Sequence, residues 1–375
     1  MGIWILVNSL FILKYGPRQS FIPTAWLLAG YAVFSAFLFF SIAKLKASSR
    51  FLIVIPKWAY IAVVSIIALA MTVYIHSTDS LSINVDRWSA LEISVECLTQ
   101  GLYPYTRIDH IGGVSSNLPG LAFLALPFYL LGDVGYLQVA TFLLVATYAY
   151  RRARNSWHAA ILILLFISSP AVLWEIAVKS DFLSNLLLCF LFIDYWMLKN
   201  SSQELRRPWL LGALTAFFLL TRGVTLIPLS ILFFVAFWKS TTKAKLKIMA
   251  SSLISGLLIC LPTLLAVPDW ETLVVFNPLG RQTNKAPLFL YMLLPLVLLI
   301  PRYYSTYRTR LFMSALILFT FPLVALLYRT YDLGWYNAIM NFNFNFSYLN
   351  MSLPPILFWL LTQNQQTKND LLTKT

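Results

Sequence analysis

Residues 22–43 read IPTAWLLAGYAVFSAFLFFSIA, without one charged side chain. A helix rises 1.5 Å per residue, so about 20 such residues cross the ~30 Å hydrocarbon core of a bilayer. The run is uniformly apolar rather than alternating, which selects a helix over a barrel strand. Further apolar blocks lie at 2–13, 51–75, 118–132, 134–150, 159–177, 182–198, 209–220, 224–238, 246–267, 286–300, 311–328 and 351–362. Hydrophobic residues make up 59% of the 375 and charged residues 11%, against about 25% charged in a soluble domain. Such a chain lacks the charged surface that a soluble fold of this length needs. The sequence therefore predicts an all-α, polytopic transmembrane helix bundle of about 12 spans, a single transmembrane domain over 1–375.

The charges give that bundle a direction. Most of the 28 Lys and Arg residues fall in short basic connections, at 44–50, 151–154, 199–207, 239–247, 302–310 and 368–374. Under the positive-inside rule this side is cytoplasmic and holds both termini. Most acids fall in the other connections: Asp79, Asp86, Glu92, Glu96, Asp109, Asp133, Glu175, Asp181, Asp269, Glu271 and Asp332. The large loop 76–117 and the loops near 268–285 and 329–350 are then extracytoplasmic. The net charge of +14 does not point to nucleic acid, because the cations are dispersed between apolar blocks. Two blocks break the alternation. Residues 118–132 contain Pro119 and Pro127 and read as re-entrant or interfacial. Residues 208–238 start and end on the basic side and read as an intramembrane hairpin, with Thr221-Arg222-Gly223 at its tip. Cys97, Cys189 and Cys260 form no disulfide framework. The N-terminus lacks the basic start and cleavage site of a signal peptide and reads as a retained first span. The location expected is a bacterial inner membrane.

The first extracytoplasmic loop carries the chemistry. Residues 86–100 read as an amphipathic helix on the membrane surface, with Trp88, Leu91, Val95 and Leu98 forming an apolar stripe and Ser89, Glu92 and Glu96 on another face. Asp86 is its expected N-cap and Gly101 its stop. Gly101-Leu102-Tyr103-Pro104-Tyr105 follows, then Asn117-Leu118-Pro119-Gly120. The simpler reading of Asp86 is a capping residue on a surface helix.

An aspartate soon after an early span, a surface helix, a G-x-Y-P-Y element and an L-P-G apolar helix together resemble the GT-C glycosyltransferases, nearest the bacterial mannosyltransferase-like branch. The resemblance covers roughly residues 51–240. It implies a polyprenyl-phosphate sugar donor, inversion at the anomeric carbon, and Asp86 as catalytic base on the extracytoplasmic face. It also places Tyr103, Tyr105 and Asn117 beside the substrate. Many members carry two adjacent acids where this chain has Asp86-Arg87, so Asp79, Glu92 and Glu96 stand as alternative bases.

Arg222 is a charge inside an apolar segment, which costs roughly 2.5–3.5 kcal/mol on insertion scales and calls for a partner or a task. Its forked guanidinium suits a lipid-linked phosphate; snorkelling, or pairing with an acid such as Asp181, is the alternative. The segment LLGALTAFFLLTRGVTLIPL also resembles a GT-C element. Lys179 and Asp181, in EIAVKSD, match a polar turn of that superfamily or form an ordinary solvated turn. Asn277, Arg281, Gln282 and Lys285 form a polar cluster in which two cations suit a phosphate headgroup or bulk anionic lipid. The aromatic and Asn-rich stretch 329–350 suits sugar rings or an interfacial aromatic belt. Asn345-Phe346-Ser347 and Asn350-Met351-Ser352 match a glycosylation pattern, which has meaning only in a eukaryotic secretory protein. His76, His110 and His158 are not at metal-ligand spacing. No cofactor is implied, and a divalent metal ion is left open.

The reading that results is a hexosyltransferase moving a sugar from a polyprenyl-phosphate carrier to a glycan, lipid or protein acceptor, among membrane lipids and without nucleic acid. The alternative is a transporter, flippase or polymerase of lipid-linked saccharides; a transporter or flippase would favour related halves and broken mid-membrane helices, and no such halves are evident.

Overall fold

A computed structural model describes residues 1–47, 55–153, 155–199, 205, 207–283, 286–304, 306–341 and 344–362. Arg50, Arg154, Glu204, Arg206, Lys285, Lys368, Asp370 and Lys374 lie outside the described residues. The described chain is helical, at 81%, with no strand among the described residues. Four helices are long and apolar enough to cross a membrane: Thr24–Lys44, Lys57–Ser77, Thr242–Leu265 and Tyr307–Leu333. A fifth crossing arises if Ser156–Ile167 and Pro170–Ala177, bent by 62°, act as one broken span.

The other apolar blocks form helices of 10–17 residues or less. A 12-residue helix rises only about 18 Å. The described helices thus support four or five spans by length and composition, fewer than the sequence count of about twelve. Prolines explain much of the difference. Pro170 and Pro208 each open a new helical segment within or beside an apolar block, and Pro295 stands in the first turn of another. In a first turn the missing N–H costs nothing. The 208–238 block is helix, break, helix: Pro208–Leu219 ends at Leu220, a turn at Gly223–Thr225 follows, and Leu226–Lys239 resumes.

The chain divides into two compact units. One comprises Met1–Met71, Thr141–Glu175 and Thr306–Thr375; the other comprises Thr72–Ala140 and Ile176–Ser305. In the first, Gly2–Tyr15 packs on Thr24–Ala47, and Thr24–Ala47 on Ser156–Ile167. Tyr307–Leu333 packs on the Phe346–Ser352 turn and on Leu353–Leu361. Buried Asn8 accepts from Ser169 Oγ (2.6 Å) and from Ala171 N (3.0 Å), which satisfies an orphan donor at the start of Pro170–Ala177. Glu175 accepts from Asn350 Nδ2 (2.8 Å), both side chains buried. Phe346 packs against Phe11, with centroids 4.6 Å apart, so part of the late aromatic stretch serves internal packing.

In the second unit, Arg87–Gln100 packs on Pro119–Leu130, and Pro119–Leu130 on Pro208–Leu219 and Thr242–Leu265. Of the predicted stripe, Trp88, Leu91 and Val95 are buried in that packing and Leu98 is half-buried, so most of it is spent on protein. Two glycines set the closeness of the helices. At Gly212 a Cβ would collide with Ser251 Oγ and with the carbonyl of Ile248. At Gly120 it would meet the Leu220 carbonyl at 2.8 Å, while Gly120 N donates to that oxygen at 2.8 Å. An orphan N–H at one helix start thereby meets an orphan carbonyl at another helix end. The opposite face of Thr242–Leu265 presents Leu246, Met249, Leu253, Leu257, Leu261 and Leu264 outward, an apolar stripe that suits lipid tails and not water.

Candidate functional site

All the geometry below lies within the second unit. The helix Arg87–Gln100 begins after Asp86 and ends at Gly101, whose left-handed backbone (φ 68°, ψ 32°) stops it. Asp86 occupies the N-cap position, but its backbone is helical (φ −75°, ψ −5°) and its side chain makes no capping bond. A capping side chain needs extended backbone to fold back onto the first turn; here it points elsewhere. The half-buried carboxylate has no hydrogen-bond or ion-pair partner among the described residues.

The neighbouring acids are committed. Asp79 accepts from Leu81 N. Glu96 accepts from Gln100 Nε2 at 3.1 Å. Asp109 closes its own loop through Ile111 N and Gly113 N. Asp269 is held below the usual carboxylate range by bonds from Thr272. Glu92 stands apart: burial first, then the charges of Asp133 and Glu96, raise its carboxyl above the usual range, against the pull of Lys179.

Arg222 sits in the break between Pro208–Leu219 and the Gly223–Thr225 turn, nearly buried. Its Nε donates to Asp181 at 2.9 Å and its Nη2 to both Asp181 oxygens at 2.8 and 2.7 Å. Nη2 also donates to Asn117 Oδ1 at 3.2 Å. The pairing with Asp181 that the sequence offered as an alternative is present. It leaves Nη1 without an acceptor among the described residues. Tyr105, a phenol whose proton burial helps to hold, donates to the Asn117 carbonyl at 2.7 Å. Gln282 accepts from Gly223 N (3.1 Å) and donates to the Ser116 carbonyl (2.7 Å), tying this break to the 116–117 loop. Phe182 links the cluster to the Asp86 end of its helix: the guanidiniums of Arg222 and Arg87 lie 5.0 and 5.1 Å from its ring centre.

Lys179 is buried in a left-handed conformation, φ 50°, which is uncommon for a residue with a side chain. Its ammonium donates to Asp133 (2.6 Å), Ser80 Oγ (2.7 Å) and the Thr78 carbonyl (3.2 Å). All three protons are used, and the 178–181 turn is buried rather than solvated. Tyr103 donates to the Phe276 carbonyl at 3.4 Å, and the Arg281 guanidinium lies 5.9 Å from the Phe276 ring. Lys285 lies outside the described residues.

Of the predicted site residues, the structure thus joins Asn117, Asp181 and Arg222 directly, Tyr105 through Asn117, and Tyr103 with Arg281 through Phe276. Lys179 is turned to a separate cluster with Asp133. Asp133, Phe182 and the part played by Gln282 were missed, since no local spacing marks a pair 46 residues apart. His110 was also passed over: its Nε2 donates to the Ile83 carbonyl and its Nδ1 lies beside Ser89 Oγ, both at 2.7 Å. It holds the 105–117 loop against the first turn of the Asp86 helix. Among the described residues there is no group of three or more His, Cys, Asp or Glu side chains placed to hold a metal ion. The chain was compared with known protein families, characterised proteins and solved structures, and nothing in any of the three matches it significantly.

Proposed function

We propose that the chain is a membrane hexosyltransferase of the GT-C type, with Asp86 as general base. The observation that carries this reading is the uncommitted carboxylate of Asp86. Around it Asp79, Glu96, Asp109, Asp133 and Asp181 are bound, while Glu92 is unbound but has its carboxyl raised by burial; the next residue, Arg87, shares the Phe182 ring with the guanidinium of Arg222. A base must be free to take a proton and within reach of the acceptor hydroxyl.

In the proposed step, an acceptor hydroxyl oxygen attacks the anomeric carbon of a polyprenyl-phosphate sugar. Asp86 takes the hydroxyl proton as the new C–O bond forms. The bond from the anomeric carbon to the phosphate oxygen breaks with inversion, and polyprenyl phosphate leaves. Arg222 offers Nη1 to the developing phosphate charge, with Arg281 and Lys285 as further cations. Asp181 holds Arg222 in a fixed orientation and partly neutralises it. The reading places the reaction on the extracytoplasmic face of a bacterial inner membrane, with both termini cytoplasmic. It places further crossings in the shorter apolar helices, up to the about twelve of the sequence count.

The test is transfer by the purified protein in vesicles supplied with radiolabelled polyprenyl-phosphate hexoses and a membrane extract as acceptor. The reading expects label to leave the carrier and appear in an acceptor. Label that only moves across the bilayer, still on its carrier, would support the flippase alternative instead.

A further inference from the structure

Four lysines, Lys239, Lys243, Lys245 and Lys247, fall within nine residues where the helix Leu226–Lys239 ends and the long helix Thr242–Leu265 begins. Pro208–Leu219 runs parallel to that long helix: Ser252 Oγ donates to the Gly212 carbonyl at 2.9 Å, and further along Leu220 lies opposite Gly256. The start of Pro208–Leu219 is therefore level with the lysines, and it adds exposed Arg207 and Trp209. Trp238 is exposed as well, and the Lys245 ammonium lies 5.3 Å from its ring centre. No acid occurs in the sequence between Glu204 and Asp269, and none of these cations enters an ion pair among the described residues. Five like charges gathered at one end of the second unit repel one another, so an anionic partner is favoured there.

The helix below the lysines narrows the choice of partner. From Lys243 to Lys247 the chain rises about 6 Å. That is close to the depth of one headgroup layer, since a bilayer of about 40–45 Å holds an apolar core of about 30 Å. Residues 248–265 carry no charge and rise about 27 Å, most of that core. At about 100° per residue, Leu246, Leu253, Leu257 and Leu264 share one exposed face, and Lys243 and Lys245 flank it on either side at its lysine end. A phosphate lodged between these two ammonium groups can run its acyl chains down the leucines. Trp209 and Trp238 suit the same depth, because indole rings settle at headgroup level. A soluble acidic protein would meet the lysines but not the leucines beneath them.

We infer that this end of the second unit is a binding site for an anionic phospholipid, with the headgroup phosphate between Lys243 and Lys245 and the acyl chains along the face of Leu246, Leu253 and Leu257. The inference rests on the chain lying in a membrane and not on the transferase reading, in which these lysines take no part. Trp238 holds Lys245 in place, because its ring face attracts the ammonium. A zwitterionic lipid meets the same leucines but brings a cation of its own to the lysines, so the site discriminates by headgroup charge.

The experiment measures binding of phosphatidylglycerol and of phosphatidylethanolamine, matched in acyl chains, to the detergent-purified full chain by native mass spectrometry. The proteins are wild type, Lys243→Gln/Lys245→Gln and Lys243→Arg/Lys245→Arg. Wild type should bind phosphatidylglycerol the more tightly. The glutamine pair should weaken that binding about 25-fold, at roughly fivefold per lysine, and leave phosphatidylethanolamine unchanged; the arginine pair should bind as wild type does. Glycerol phosphate, which has the anion without the chains, should not compete at the same concentration. Equal affinity of wild type for the two lipids overturns the assignment and needs no variant to fold; so does a preference retained in the glutamine pair or lost in the arginine pair. Competition by glycerol phosphate would reduce the site to one for free anions, and protein dimers that exclude the lipid would give the face to a second copy of the chain; either result also overturns it.

Discussion

Asp79 caps a turn, Glu96 holds Gln100, Asp133 holds Lys179 and Asp181 holds Arg222. Each of these carboxylates has a structural task that would be lost on proton transfer. Asp86 has none among the described residues, although it sits where a cap would form. Glu92 differs by its protonation. A carboxyl raised in the folded state holds a proton that the unfolded chain has released, so the fold gains stability that is complete below the unfolded value of about 4.3 and lost as pH rises through the folded one. Glu92→Gln should remove this slope. Thermal melts from pH 4 to 8 should show the variant gaining on wild type as pH rises, with transfer retained; abolished transfer would make Glu92 the base. Arg222→Ala is expected to fail differently. It strands Asp181 in a buried site, and breaking such a pair costs about 3–5 kcal/mol. Melting temperature should therefore fall along with any loss of binding, and Arg222→Lys is the better probe of the phosphate role because it keeps the charge.

The elements around the site were legible to unequal degrees. The 86–100 helix could be read because its apolar period, its starting aspartate and its terminal Gly101 agree. Arg222 could be read because a charge within an apolar segment marks a break. The end-to-end contact of Gly120 with Leu220 left no such mark, since it depends on two helices 100 residues apart in sequence. The same holds for Lys179, where the sequence shows a polar turn and not the acceptors 46 to 101 residues away. Helix length was not legible, because hydropathy sums apolar residues without noticing where a proline restarts the helix, so four or five long spans stand where the sequence shows more apolar blocks. Two substitutions examine these elements. Gly120→Ala drives a Cβ into backbone that cannot rotate aside, and overpacking of this kind costs about 1–3 kcal/mol; a lowered melting temperature is expected, while Ala at exposed Gly30 should have little effect. Lys179→Met removes the partner of Asp133, and a double-mutant cycle with Asp133→Asn should show a positive coupling between them.

At the scale of the whole molecule, four or five helices are long and apolar enough to cross a membrane, consistent with a membrane protein, and the dispersed cations give the direction proposed for it. Sidedness can be checked with single cysteines at exposed positions in a variant lacking Cys97, Cys189 and Cys260. Thr99→Cys, near the end of the Asp86 helix, should react with an impermeant thiol reagent only from outside the cell. Thr242→Cys, at the start of the Thr242–Leu265 span, should react only from the cytoplasmic side. Labelling of both from the same side would contradict the charge-based orientation, in which an odd number of crossings separates them.

The central claim is that Asp86 takes the proton of the acceptor hydroxyl. The most direct measurement is the rate of sugar transfer from radiolabelled polyprenyl-phosphate hexose by purified Asp86→Asn beside wild type, with donor binding measured on the same preparations. Asparagine keeps the size of the side chain and removes only its basicity. Loss of general-base assistance should slow transfer about 10²–10⁴-fold while donor binding and melting temperature stay at wild-type values. Transfer by Asp86→Asn at the wild-type rate would contradict the account.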